Sequence, residues 1–118
     1  MTTSHLEAVV RKGAGLTVID LTGDINAFSE ESLNSAFEEA SSDGPSTILL
    51  NFSDVAYINS TGIALIVGVL IQARTSGVAI FSCGLSDHYE EIFNITRLSD
   101  FMTIYTDESA ATAAVADA

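Results

Sequence analysis

One cysteine, Cys83, is all that the 118 residues carry, so no internal disulfide can brace the fold. Metal staples are equally short of material. His5 and His88 are the only histidines, and neither stands at ligand spacing from cysteine or carboxylate, which predicts no metal site. The longest apolar stretch, Ile63 to Ile71, falls well short of the roughly 18 residues a membrane span requires. Met1-Thr2-Thr3-Ser4-His5 lacks the basic start and apolar run of a signal peptide, so a reducing cytoplasm is the expected compartment. Basic residues are scarcest of all: Arg11, Lys12, Arg74 and Arg97 face sixteen carboxylates, for a formal net charge of -12. Such a chain repels nucleic-acid backbones and anionic lipid, which argues against direct nucleic-acid binding and leaves basic protein partners open.

Nucleotide and hydrolase signatures are missing too. Gly13-Ala14-Gly15 has neither the third glycine nor the following helix of a dinucleotide loop, and no phosphate-loop motif occurs, so no cofactor is expected. Ser60, His88 and Asp87 supply triad residue types, but no G-x-S-x-G frames the serine. What the chain does have is a core: 47% of its residues are hydrophobic, enough at this length for one domain over residues 1–118.

The pattern of that core is β-α-β. Leu6 to Arg11 and Leu16 to Leu21 read as a hairpin across Gly13-Ala14-Gly15. Ser29 can cap a helix with Glu30 and Glu31 in its first turn and Leu33, Ala36 and Phe37 on its inner face, ended by Ser42-Asp43-Gly44-Pro45. A strand at Thr47 to Phe52, a helix at Ile63 to Arg74 closed by Gly77, and a strand at Val78 to Ser82 follow. Ser86-Asp87 opens a third helix to about Ile95 with Tyr89, Ile92 and Phe93 inward, and Phe101 to Tyr105 makes a last strand. The Ala-rich helix at about 107–116 has Val115 as its only large apolar residue, which predicts weak docking and a frayed end. Strands alternating with helices predict an α/β fold: a mixed, mostly parallel sheet of four to five strands covered by about four helices.

The densest chemistry lies in Asn59-Ser60-Thr61-Gly62, at the carboxyl end of a central strand, where open α/β sheets place their sites. Capping the next helix needs one polar side chain, and this turn offers three. Two hydroxyls stand where unpaired N–H groups and the positive dipole end converge, a good seat for phosphate. Along the helix, about 100° per residue puts Ile63, Ile66, Val67 and Leu70 on the buried arc. Leu65 and Val69 fall to the far side near Gln72, with Gly68 between and Ala64 nearby, a small apolar face suited to close approach by another protein.

At Leu21-Thr22-Gly23-Asp24-Ile25-Asn26, at Leu50-Asn51-Phe52-Ser53-Asp54-Val55-Ala56-Tyr57-Ile58-Asn59-Ser60-Thr61-Gly62-Ile63, and at Gly77-Val78-Ala79-Ile80, with Phe93 and the Leu98 to Phe101 segment downstream, the chain resembles the STAS domain family, specifically bacterial anti-sigma factor antagonists. The resemblance implies a STAS-like domain without enzymatic activity, working as a partner switch in transcription control. In that family the serine before the [ST]-G pair is phosphorylated by an anti-sigma factor that is also a serine kinase, and a metal-dependent serine phosphatase reverses the step. Carried across, Ser60 is the phosphoacceptor, with Thr61 second, and partner contacts fall to Asp24, Asn26, Asn59, Ser60, Thr61, Gly62, Ala64, Leu65 and Gly68. Asn59 and Asn26 occupy positions where the family usually carries acidic residues. This leaves open a constitutive binding or scaffold STAS protein, and the apolar helix face separately leaves open a transporter-associated STAS subunit. A response-regulator receiver phosphorylated on Asp54, following its strand, is a competing reading, although no lysine occurs beyond Lys12.

Overall fold

Strand alternation sets the edge of the sheet. Glu7–Lys12 (β1) turns Ala8 and Val10 toward the core and runs antiparallel to Thr17–Ile25 (β2), pairing Val10 with Ile19. In the computed structural model, which describes residues 5–13 and 15–116, Thr47–Ile58 (β3), Ala79–Cys83 (β4) and Thr103–Tyr105 (β5) continue the sheet. Its order is β1-β2-β3-β4-β5, with every pair after the first parallel. Ala14, in the expected hairpin turn, lies outside the described residues, as do 1–4 and 117–118.

Sequential parallel strands send their connecting helices to one side. Glu30–Ser41 (α1), Ser60–Ser76 (α2) and Asp87–Ile95 (α3) bring Leu33, Phe37, Ile66, Val69, Leu70 and Phe93 onto Ile19, Leu21, Ile48, Leu50, Phe52 and Ile80 of the sheet. The other face is smaller: Leu16, Val18, Leu49 and Cys83 are roofed by Ala111 of Glu108–Ala116 (α4). The expected mixed α/β sheet with four helices is therefore the architecture found.

Several boundaries differ from expectation. β2 runs on from Leu21 to Ile25 and β3 from Phe52 to Ile58, forming a two-strand ribbon beyond the last β3–β4 pair, Asn51 with Cys83. Most of this ribbon is exposed or half-buried, and polar Ser53-Asp54 interrupts the apolar pattern before Val55 to Ile58 resumes it; two register irregularities accompany the extension. Asp54, expected to follow its strand, thus sits inside it opposite Thr22. α2 begins at Ser60 rather than Ile63, and β5 begins at Thr103, because Leu98–Asp100 forms a 3-10 turn that leaves Phe101 51% exposed. Ser29 precedes α1 but makes no cap bond; its hydroxyl is buried and occupied elsewhere.

The α2 arc is also rotated. Val69, expected on the far side, is 2% exposed, and Val67, expected inside, is 36% exposed, while Leu65 is half-buried against the core. The buried set is Gly62, Ile66, Val69, Leu70 and Ala73. Hydropathy cannot orient a helix apolar all round; Gly62 does so by letting the start of α2 press on the Ile25 carbonyl at the end of β2.

Candidate binding site at the Ser60 turn

The site is built where the β2–β3 ribbon ends. Ile25 pairs with Ile58, and the Asn59 N–H donates to the Ile25 carbonyl at 3.1 Å, so the two strand ends finish together. Asn59, extended, is the N-cap of α2: its Oδ1 accepts from the Gly62 N–H at 2.8 Å. Gly62 lies against the Ile25 carbonyl so closely that a Cβ there would stand 2.2 Å from the oxygen. Gly23, at φ +110°, presses in the same way on the His5 carbonyl, 2.5 Å from where a Cβ would be. From α3, the Tyr89 hydroxyl accepts from the Ile58 N–H at 2.9 Å and anchors the last residue of β3.

Asn26 caps the 3-10 turn Ala27–Ser29, its side chain accepting from the Phe28 N–H at 2.9 Å. Its own N–H donates to Ser29 Oγ at 2.9 Å, and that hydroxyl donates to the Asp24 carbonyl at 3.2 Å. This box is what occupies Ser29. The turn packs beside α2, so Asp24, Asn26, Asn59, Ser60, Thr61 and Gly62 share one end of the molecule.

Because Asn59 supplies the cap, Ser60 and Thr61 are released from that duty. Both are exposed, and their N–H groups belong to the first helical turn, which has no intrahelical acceptors. At about 100° per residue, Ser60, Ala64, Val67, Gly68 and Ile71 share one outward face of α2. Ala64, Val67 and Ile71 are exposed and Gly68 half-buried, so an apolar stripe starts at the hydroxyl and runs down the helix. Leu65 does not join it. Sequence reasoning missed Phe28, 79% exposed on the neighbouring turn, and Tyr57, 54% exposed opposite Asp24. An aromatic inside a capping box, Asn26-x-x-Ser29, was the available signal for the first.

Elsewhere the chemistry is structural. Among the described residues no three His, Cys, Asp or Glu side chains are grouped to hold a metal ion, and no helix is long and apolar enough to cross a membrane. Cys83 is buried. Burial first, then the carboxylates of Glu108, Asp107 and Asp20, push its thiol up to about 11, which keeps it protonated at neutral pH.

The STAS domain family model matches residues 5–111, nearly the whole chain. The chain belongs to the STAS family. Among relatives of this STAS protein, the anti-sigma-B factor antagonist of Staphylococcus aureus (strain NCTC 8325 / PS 47) is 28% identical over 86 residues, covering 73% of this chain and 80% of its own. A putative anti-sigma factor antagonist from Thermotoga maritima superposes with a TM-score of 0.79 over 92% of this chain and 93% of its own, at 20% identity. The Bacillus cell fate determinant SpoIIAA in its phosphorylated form gives 0.68 over 91% and 98%, also at 20% identity. At these identities the structural likenesses establish the STAS fold.

Proposed function

We propose that this STAS protein is an anti-sigma factor antagonist. It binds an anti-sigma factor with serine-kinase activity through the Ser60 turn and the adjoining α2 stripe, and lets go when Ser60 is phosphorylated. Partner, kinase and phosphoacceptor are this reading's content. The observation that carries it is the division of labour at the helix start: Asn59 caps, so an exposed Ser60 hydroxyl stands free beside exposed Ala64 and Val67. Phosphate adds about -1.5 to -2 charges at one end of an apolar stripe, where a docked partner would have to desolvate them. The same phosphate suits the Ser60 and Thr61 N–H groups and the positive end of α2, so release needs no internal rearrangement.

Asp24, Asn26, Gly62 and Gly68 frame this contact, while half-buried Leu65 acts from beneath it. A metal-dependent serine phosphatase would restore the binding form, and the action is binding rather than catalysis in a bacterial cytoplasm. With Asn59 and Asn26 neutral, only Asp24 among the proposed contact residues carries charge, so the unmodified surface is nearly neutral in an acidic protein.

The test is binding of the full chain to its cognate anti-sigma factor, measured by calorimetry with and without ATP. Ser60→Ala is expected to bind and resist ATP-dependent release, and Ser60→Asp to lose binding by at least about tenfold. Undiminished binding by Ser60→Asp would sink the switch. Release without phosphate on residues 59–62 by mass spectrometry would move the acceptor elsewhere.

A further inference from the structure

Farther down α2 lies a second feature, which shares Val67 and Ile71 with the far end of that stripe and reaches Arg74, fourteen residues or about 21 Å from Ser60 at 1.5 Å per residue. A cavity of about 240 Å³ opens between α2 and the connection from α3 to β5, walled by Val67, Leu70, Ile71, Leu98 and Phe101. Its lining is almost wholly apolar, and Arg74, Thr96 and Arg97 complete the wall, the two arginines being half of the four basic residues in a chain of net charge -12. The other two are consumed structurally: Arg11 pairs with Asp20 and Glu108, and Lys12 with Asp43.

Arg74 is the anomaly. Despite sixteen carboxylates in the chain, it makes no ion pair among the described residues and instead holds its guanidinium 5.6 Å from the centre of the Phe101 ring. Arg97 pairs only with Asp100, three residues on, at 2.7 Å and largely in water, a contact too weak to withhold the guanidinium from a competing anion. Its backbone is costly as well. Arg97 follows the C-cap of α3 in the left-handed conformation, φ 67°, the sole non-glycine residue so placed among those described, at a position where glycine fits better. A strained arginine and an unpaired one therefore stand beside the same apolar cleft.

We propose that this cleft binds a free single-chain anionic amphiphile, with its carboxylate between Arg74 and Arg97 and its alkyl chain along Val67, Ile71, Leu98 and Phe101. Charge selects the occupant. A second copy of the chain brings twelve negative charges and an anionic bilayer brings many, all repelled by this chain's own -12, whereas a free amphiphile brings a single carboxylate to two guanidiniums. Shape agrees: Arg74 and Phe101 separate the cleft from a neighbouring cavity of about 410 Å³ reaching Met102, so a tilt of the exposed Phe101 ring gives the chain room to extend.

The experiment titrates sodium decanoate, below its micelle concentration, into the full chain and follows backbone amides by NMR, with decanol and decyltrimethylammonium as controls. Saturable shifts centred on Val67, Ile71 and Phe101 are expected from decanoate, with neither control matching its affinity. Arg74→Gln should weaken binding about fivefold. Arg97→Gly should raise the melting temperature by relieving the left-handed arginine and yet bind decanoate more weakly, a pairing that a purely structural role cannot produce. No saturable shift, shifts centred elsewhere, equal affinity for decanol, or unchanged affinity in both arginine variants overturns the proposal. So does capture of the protein by phosphatidylglycerol vesicles without decanoate binding, which would make the occupant a bilayer.

Discussion

At Gly62 two demands meet on one backbone. Its N–H must reach the Asn59 side chain, and its missing side chain must leave room for the Ile25 carbonyl. Gly62→Ala is expected to lower unfolding free energy by about 1–3 kcal/mol through overpacking against a backbone atom. Asn59→Ala should cost about 1 kcal/mol for the lost cap. Urea denaturation of both variants beside the parent checks the pair; an unaffected Gly62→Ala would mean the helix start can retreat from β2. The polar turn was legible in the sequence because capping chemistry is local. The hydrogen bond from Ile58 to Tyr89 was not, since Tyr89 reads only as part of an apolar helix face and its hydroxyl partner is 31 residues away.

Among the elements, the strands and helices were legible in number and order, since apolar content changes period from one to the next. Their ends were less so. β3 reads as ending at Phe52 because exposed, polar Ser53 and Asp54 interrupt the apolar run, and the ribbon beyond them has one strand partner and is mostly wet. The rotation of α2 was hidden for the opposite reason: with Ile, Leu and Val on every side, only contact with Ile25 decides what faces in. For α4 we propose the shallow attachment that its Ala-rich sequence leads one to expect. Ala111 is fully buried, Val115 only partly, and the helix rests on the smaller core. Amide hydrogen exchange is expected to be much faster throughout α4 than at Ile66–Ala73 of α2, with mass spectrometry of exchanged peptides as the check. Equal protection would show that α4 unfolds only with the whole.

At the scale of the molecule, one charged cluster ties distant parts together. Arg11 of β1 donates to Asp20 of β2 and to Glu108 of α4 at 2.7 Å, and Asn51 of β3 donates to the same Asp20 at 2.8 Å. The Arg11 guanidinium chiefly, with help from Asn51 and against partial burial, holds the Asp20 carboxyl below its ordinary value. A depressed carboxyl stabilises the fold above its unfolded pKa, near 3.9, and that contribution disappears as pH falls through the lower folded value. The melting temperature should therefore drop on going from about pH 5 to pH 3, and Asp20→Asn should show a shallower drop from a lower starting point. An identical acid slope in the variant would assign the loss to other carboxylates.

The assignment of the cap to Asn59 has one more consequence, for descent rather than for chemistry. Position 60 bears no weight in the fold: its side chain is exposed and the neighbouring residue closes the helix. Lineages are then free to gain, lose or exchange a hydroxyl there without first acquiring compensating changes elsewhere. A signalling residue placed so can appear and vanish on a domain that stays intact, which lets one scaffold diversify into responsive and unresponsive members by single substitutions.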